Sequence, residues 1–380
     1  MRWTSAWPLA ICAALLAGCG DQKTVSGPEQ PKTTTAAPKA GVDAATLASC
    51  GLKPIDYDFR GLKDRMLVGK ADGDTRDAVF ARRVVHVNTD GAPNSYHSRV
   101  IGADDRQVGA LNLICNAVVT IRPESWTSWL PSWLPGTAPP KPIRCYGERG
   151  IKIDPTFARL YEAIRANDWQ PAEGHRIEFN WDILGRSPVP ESWPSSMFGR
   201  EKPCVDKDGF FTSMTKLRQG GQDSCDQRAF IDANEIPAFV LPKHWFADWS
   251  SKTVGRWGSF RDGDIVVAYR PATATAPELF VPAIVGDAGP IGRLGEATIA
   301  MNWMLKRETG DIRQKVRTYL DVLKLDTGTS TPKDVPFLVL ENTGKALGHA
   351  YTPDNIRAVA GRLFREWGGE ARFKSCLAAL

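Results

Sequence analysis

Two carboxylates, Asp287 and Glu296, stand on either side of a bend that holds four glycines and a proline, Gly286-Asp287-Ala288-Gly289-Pro290-Ile291-Gly292-Arg293-Leu294-Gly295-Glu296. A pair of acids set against one substrate is the usual machinery of glycosidic-bond hydrolysis, one protonating the leaving oxygen and the other activating water. The bend closes an apolar run from Leu279 to Val285 and opens a segment, Glu296 to Lys306, whose apolar residues have helical spacing. On this reading Asp287 emerges from a buried strand and is oriented by amides of the Gly289-Pro290 turn. Gly295 is the expected N-cap, which places Glu296 in a first helical turn where the dipole favours its ionised form. The same residues also have a purely structural reading, as a dipole partner and a turn. The glycines recur at every third position rather than as G-x-G-x-x-G, and no Gly-Lys-Ser/Thr follows, so no nucleotide cofactor is expected.

Other residues bear on the same chemistry. Asp90, Tyr96 and His97 cluster in one predicted loop, where they could bind a sugar hydroxyl, although a satisfied loop histidine is the simpler reading. Asp206 and Asp208, in Cys204-Val205-Asp206-Lys207-Asp208-Gly209, fail the EF-hand spacing and are read as a turn or as lining a cleft. No cysteine pair has C-x-x-C spacing and no His-Glu-x-x-His occurs, so neither a metal centre nor a zinc peptidase is expected. A Gly-x-Ser-x-Gly elbow is also missing, which disfavours an esterase. Of 13 tryptophans most are core material, but Trp126, Trp129 and Trp133 alternate with prolines and small residues. Trp129 and Trp133 are the expected stacking surfaces for a polymer.

The N-terminus has the layout of an export signal over residues 1–18, with Arg2 as basic head and an apolar stretch from Leu9 to Leu16. That stretch is too short to span a bilayer. Leu16-Ala17-Gly18-Cys19 resembles the bacterial lipobox, which implies a lipid on Cys19 and, with Gly20 following, an outer-membrane anchor. An ordinary secretory signal would instead leave the protein periplasmic or extracellular. Residues 19–45 contain no aromatic residue and are expected to be a disordered tether. Six further cysteines in an exported chain point to disulfides, with Cys204–Cys225 and Cys115–Cys145 preferred as neighbours and Cys50–Cys376 by elimination. A net charge of +5 comes without a basic block, which sets nucleic acid aside as a partner.

Residues 46–380 are expected to form a single domain with a Trp/Pro-rich insertion at about 125–142. Strands are expected at 79–87, 111–121, 209–212, 238–241, 265–269, 279–285 and 337–340. Helices are expected at 156–167, 296–306, 311–325 and 354–367. Many short strands between Gly/Pro turns, with few helices, suggest an α+β domain centred on a β-barrel.

Four stretches in order resemble glycoside hydrolase family 75, the fungal-type chitosanases. They are Cys204 to Phe211, Ile231-Asp232-Ala233-Asn234-Glu235-Ile236-Pro237 to Pro242, Gly263-Asp264-Ile265-Val266-Val267, and Val285 to Ala300. The likeness covers roughly residues 200–310 and extends more weakly over 79–100. It implies an inverting endo-hydrolase of chitosan or a related amino-sugar polymer, with Asp287 and Glu296 as the essential pair and a core resembling the family 45 endoglucanase barrel. Two departures stand out: the turn between the acids is shorter, and Ala238 replaces an aromatic residue. Chitosan is a polycation, so Asp206, Asp208, Asp232, Glu235 and Asp264 are expected to join the pair in an acidic cleft. Glu296 is read as general base and Asp287 as general acid, with the reverse assignment open. The protein is expected to be a monomer without cofactor, touching membrane only through its lipid. The alternatives are a non-catalytic glycan-binding envelope lipoprotein and a peptidoglycan-acting hydrolase.

Overall fold

A computed structural model describes residues 32–36, 42–59, 62–70, 77–99, 109–123, 141–145, 153–189, 201–220, 223–246, 260–327 and 334–380. In chain order, β1 (Lys32–Thr35), α1 (Ala44–Cys50), β2 (Lys53–Phe59), β3 (Leu62–Lys70), β4 (Asp77–Val84) and β5 (His86–Asn88) come first. Next are α2 (Ile114–Ala117), β6 (Val118–Pro123), β7 (Ile143–Arg144), α3 (Pro155–Ala166), β8 (His175–Phe179), β9 (Arg186–Pro188) and β10 (Glu201–Pro203). Then follow β11 (Ala238–Pro242), β12 (Ile265–Arg270), β13 (Leu279–Gly289), β14 (Glu296–Thr298) and α4 (Ile299–Leu305). Last come α5 (Ile312–Lys315), α6 (Tyr319–Leu325), β15 (Asp334–Leu340), α7 (Pro353–Trp367) and α8 (Gly369–Ala379).

Ten strands form one mixed sheet in the order β1-β2-β3-β4-β15-β12-β13-β11-β14-β5, and β7-β6-β8 form a separate small sheet. The α+β class holds. A closed barrel is not found among the described residues, where no pairing joins the edge strands β1 and β5. The sheet curls nonetheless. Tyr57 on β2 hydrogen-bonds with His244, and Trp245 Nε1 donates to Tyr57 Oη at 3.2 Å, so side chains bridge between residues near opposite edges.

Each central strand is apolar on both faces, which is why it reads as a continuous rather than alternating run. On β12, Val266 and Ala268 join the inner core with Phe239, Trp245, Ala283 and Phe337, while Ile265, Val267 and Tyr269 face an outer core. α7 and α8 cover that outer face. In α7, Thr352 caps Asn355 N, Pro353 opens the first turn, and Ile356, Ala360, Leu363, Phe364 and Trp367 are buried at helical spacing. Cys50–Cys376 ties α1 to α8, and Cys115–Cys145 and Cys204–Cys225 form as expected. Three disulfides suit an oxidising, exported environment. No helix among the described residues is long and apolar enough to cross a membrane.

Several expected elements differ. The tether does not reach residue 45: Lys32–Thr35 pairs antiparallel with β2, where a threonine-rich run suits an edge strand, and α1 begins at Ala44. The expected strand 111–121 starts instead as the helical turn α2. The stretch 209–212 makes only isolated bridges, His97 with Phe210 and Val205 with Phe211. The expected helix 311–325 is two short helices, because Thr318 caps a new one at Asp321 N. Cys19, Trp126, Trp129 and Trp133, with the signal and nearly all of the insertion, lie outside the described residues.

Candidate active site

Glu296 is not in a helix. It opens β14, and α4 starts three residues later, capped by Thr298. Gly295 is needed for another reason: it sits at φ 104°, with Val84 O only 2.3 Å from where a Cβ would stand. The dipole argument for Glu296 therefore falls, and a sheet argument replaces it. Val240 on β11 is paired with Asp287 on one side and with Glu296 on the other. Residues paired directly across strands project from the same face, so the two acids flank Val240 with Cα atoms about 10 Å apart, two interstrand spacings.

A register irregularity makes this possible. Val281, Ala283 and Val285 project into the inner core, and strict alternation would send Asp287 after them. Instead Phe239 pairs with Val285 but Val240 with Asp287, which skips Gly286 and turns Asp287 to the opposite face. Gly286 fills the skipped place because a Cβ there would stand 2.5 Å from Ile231 Cδ1 and 2.7 Å from Ala238 Cβ.

Asp287 and Glu296 line one cleft of about 510 Å³, and Asp90, just beyond the end of β5, lines it too. Asp287 Oδ1 accepts the amides of Lys216 and Ala288, both at 2.8 Å. Burial holds its carboxyl well above the ordinary carboxylate range, the negative charge of Asp90 adds to that, and the two amides oppose it. Burial pushes Asp90 up to about 6; the Tyr96 hydroxyl bond opposes this, and the charge of Glu296 adds to it. Tyr96 Oη donates to Asp90 at 2.7 Å and in turn accepts Asn112 Nδ2 at 3.0 Å. Glu296 is 17% exposed and meets Arg293, itself 72% exposed, across a long 3.5 Å ion pair. That arginine lies at the surface and does not lock the carboxylate. The cleft thus holds one strongly proton-retaining acid, a second carboxylate across Val240, and a third coupled to both.

The other expected site residues are elsewhere. His97 is buried: its Nδ1 accepts the Arg99 amide at 3.0 Å and its Nε2 donates to Asp208 O at 3.2 Å. It braces a turn and does not line the cleft. Asp206 Oδ1 accepts the amides of Asp208 and Phe210, so this acid is spent shaping that turn, and neither Asp206 nor Asp208 lines the cleft. Asp232 and Glu235 share Arg313 at 2.6 and 2.7 Å, and Asp264 is buried in a separate corner. The acidic cleft expected from these residues is built instead from Asp90, Asp182, Asp287, Glu296 and Asp326. Asp182, Asn112, Asn180 and Tyr319 line it without having been anticipated; only Tyr96, beside Asp90 in the same loop, carried a local signal. Among the described residues no group of three or more His, Cys, Asp or Glu is arranged to hold a metal. No protein-family model matches the chain, and no curated protein matches it significantly.

Proposed function

We propose that this chain is an exported glycoside hydrolase that cleaves β-1,4 bonds of chitosan or a related amino-sugar polymer with inversion. One observation carries the reading: a half-buried Asp287 whose carboxyl is held well above the ordinary range, and a half-buried Glu296, flank Val240 on the same face of one cleft. In this mechanism Asp287 keeps its proton in its dry setting and delivers it to the leaving glycosidic oxygen. Glu296 takes a proton from a water that attacks the anomeric carbon from the opposite side of the sugar. Inversion needs both sugar and water between the carboxyls, commonly about 6.5–9.5 Å apart, and two strand spacings leave that room. Gly289 keeps the floor between them low, since a Cβ there would come within 3.5 Å of Glu296 Oε2. The curled sheet is read as an opened form of the family 45 type of barrel, and Cys19 as its lipid anchor.

The test is reducing-end release from chitosan, chitin and peptidoglycan in parallel by the chain, Asp287→Asn and Glu296→Gln. The expected result is release from chitosan that falls by about 10²–10⁴-fold in each variant, the range for loss of one acid–base group, with circular dichroism unchanged. Full activity in either variant would overturn the reading, and release from peptidoglycan alone would change its substrate.

A further inference from the structure

The cleft has two chemically different walls. One comes from α6, where Tyr319 and Leu323 line it and Leu323 remains 43% exposed, an unusual fraction for a large apolar side chain among the described residues. The other comes from the segment after β8 and from α2, where Asn116, Asn180 and Asp182 line it. A pyranose ring has this division: an apolar face of C–H groups and a polar rim.

Two side chains on these walls are not engaged. Tyr319 makes no hydrogen bond or ring contact among the described residues, and neither does the carboxylate of Asp182. Every other acid in the cleft has a partner. Asp90 holds Tyr96, Asp287 holds two amides, Glu296 meets Arg293, and Asp326 meets His86 at 2.7 Å. The backbone of Asp182 is fixed by its amide, which donates to Asn180 Oδ1 at 3.2 Å, and its side chain is exposed. Five acids line the cleft; with Asp287 holding its proton, the other four still outnumber Lys243 and Arg293, so at neutral pH the local balance is negative although the chain is net positive. That complements a cationic sugar rather than a neutral one.

We propose that Tyr319 and Asp182 form a subsite for one unacetylated amino-sugar unit, with the ring face on Tyr319 and the ammonium on Asp182. The proposal rests on the glycan reading above, and names which form of amino sugar the cleft selects. An N-acetyl group removes the charge that Asp182 would meet, so discrimination comes from one charge-assisted hydrogen bond.

The test is calorimetric titration at pH 5.5 of glucosamine hexamer and N-acetylglucosamine hexamer into Asp287→Asn protein, so that turnover does not confuse binding. In this background the glucosamine hexamer should bind more tightly. Adding Asp182→Asn should weaken it by about tenfold, the scale of one lost hydrogen bond to a charge, and leave the acetylated hexamer unchanged. Adding Tyr319→Ala should weaken both hexamers by about fivefold, while Tyr319→Phe retains them. Equal weakening of both hexamers by Asp182→Asn, or no effect of Tyr319→Ala, overturns the subsite. Its failure is separable from failure of the hydrolase reading. A chain that discriminates the hexamers as described but releases no reducing ends loses only its catalytic assignment. A chain that hydrolyses chitosan with no effect at Asp182 and Tyr319 loses only the subsite.

Discussion

Two aspartates, Asp264 buried just before β12 and Asp287 half-buried on the neighbouring β13, show what separates a structural acid from a chemical one. Asp264, in the corner before β12, accepts the amides of Thr343 and Gly344 on Oδ1 at 2.8 and 3.0 Å and that of Arg261 on Oδ2 at 2.9 Å. Asp287, near the end of β13, takes both of its amides on Oδ1 and leaves Oδ2 without a partner among the described residues. Burial raises both carboxyls, Asp264 to about 6 and Asp287 well above the ordinary range. A raised carboxyl therefore does not mark a site. The mark is unspent hydrogen-bonding capacity beside other carboxylates in an open cleft.

The largest expected contrast is in stability. Asp264→Ala strips both oxygens from three amides and should cost roughly 3–5 kcal/mol, while the molecules that still fold retain their activity. Asp287→Asn should do the reverse, losing activity without losing stability at neutral pH. Because the folded Asp287 carboxyl is raised, its protonated form is favoured by folding. Its contribution is complete below the unfolded value, about 4, and is lost as pH rises through the folded value. Thermal melts from pH 4 to 8 should therefore decline less steeply in Asp287→Asn than in the parent. A steeper decline would contradict the assignment.

A smaller effect is expected at the floor of the cleft. A Cβ on Gly289 would stand 2.8 Å from Val240 Cγ1 and 3.5 Å from Glu296 Oε2. Gly289→Ala should lower kcat by about tenfold through displacement of Val240 and Glu296, with overpacking costing about 1–2 kcal/mol in denaturant melts. Unchanged kcat would show that the spacing of the pair does not matter.

The subtlest effect concerns Asp90, whose charge raises Asp287. Asp90→Asn removes that charge, so Asp287 should lose its proton at lower pH. Activity on the alkaline side depends on the proton-bearing acid, so that limb of the pH–kcat profile should move to lower pH. A limb that stays in place would uncouple Asp90 from the pair.

Local chemistry made part of this legible in the sequence. Thr352-Pro353 and the spacing from Ile356 to Trp367 specify α7 completely, and the nearest cysteines do pair. The glycine-dense bend marked Asp287 and Glu296 as belonging together. Gly295 reads as a helix cap in the sequence, yet Thr298, directly before the apolar run Ile299-Ala300-Met301, is the stronger cap and starts the helix after Glu296. The bulge that turns Asp287 out of the inner core depends on its pairing with β11, which no period in β13 reveals. An aspartate that caps its own turn, as Asp206 does, and one that faces a cleft look alike in one dimension. Asp182 and Tyr319 reach the cleft only through the packing of distant segments.

The most direct measurement is carboxyl infrared spectroscopy of the chain against Asp287→Asn across pH 4 to 8. The account predicts a protonated-carboxyl band that persists above the ordinary aspartate range in the chain and is missing from Asp287→Asn. Spectra of the two proteins that are identical throughout the titration, with no protonated carboxyl to subtract, would contradict the claim that Asp287 carries the proton for catalysis.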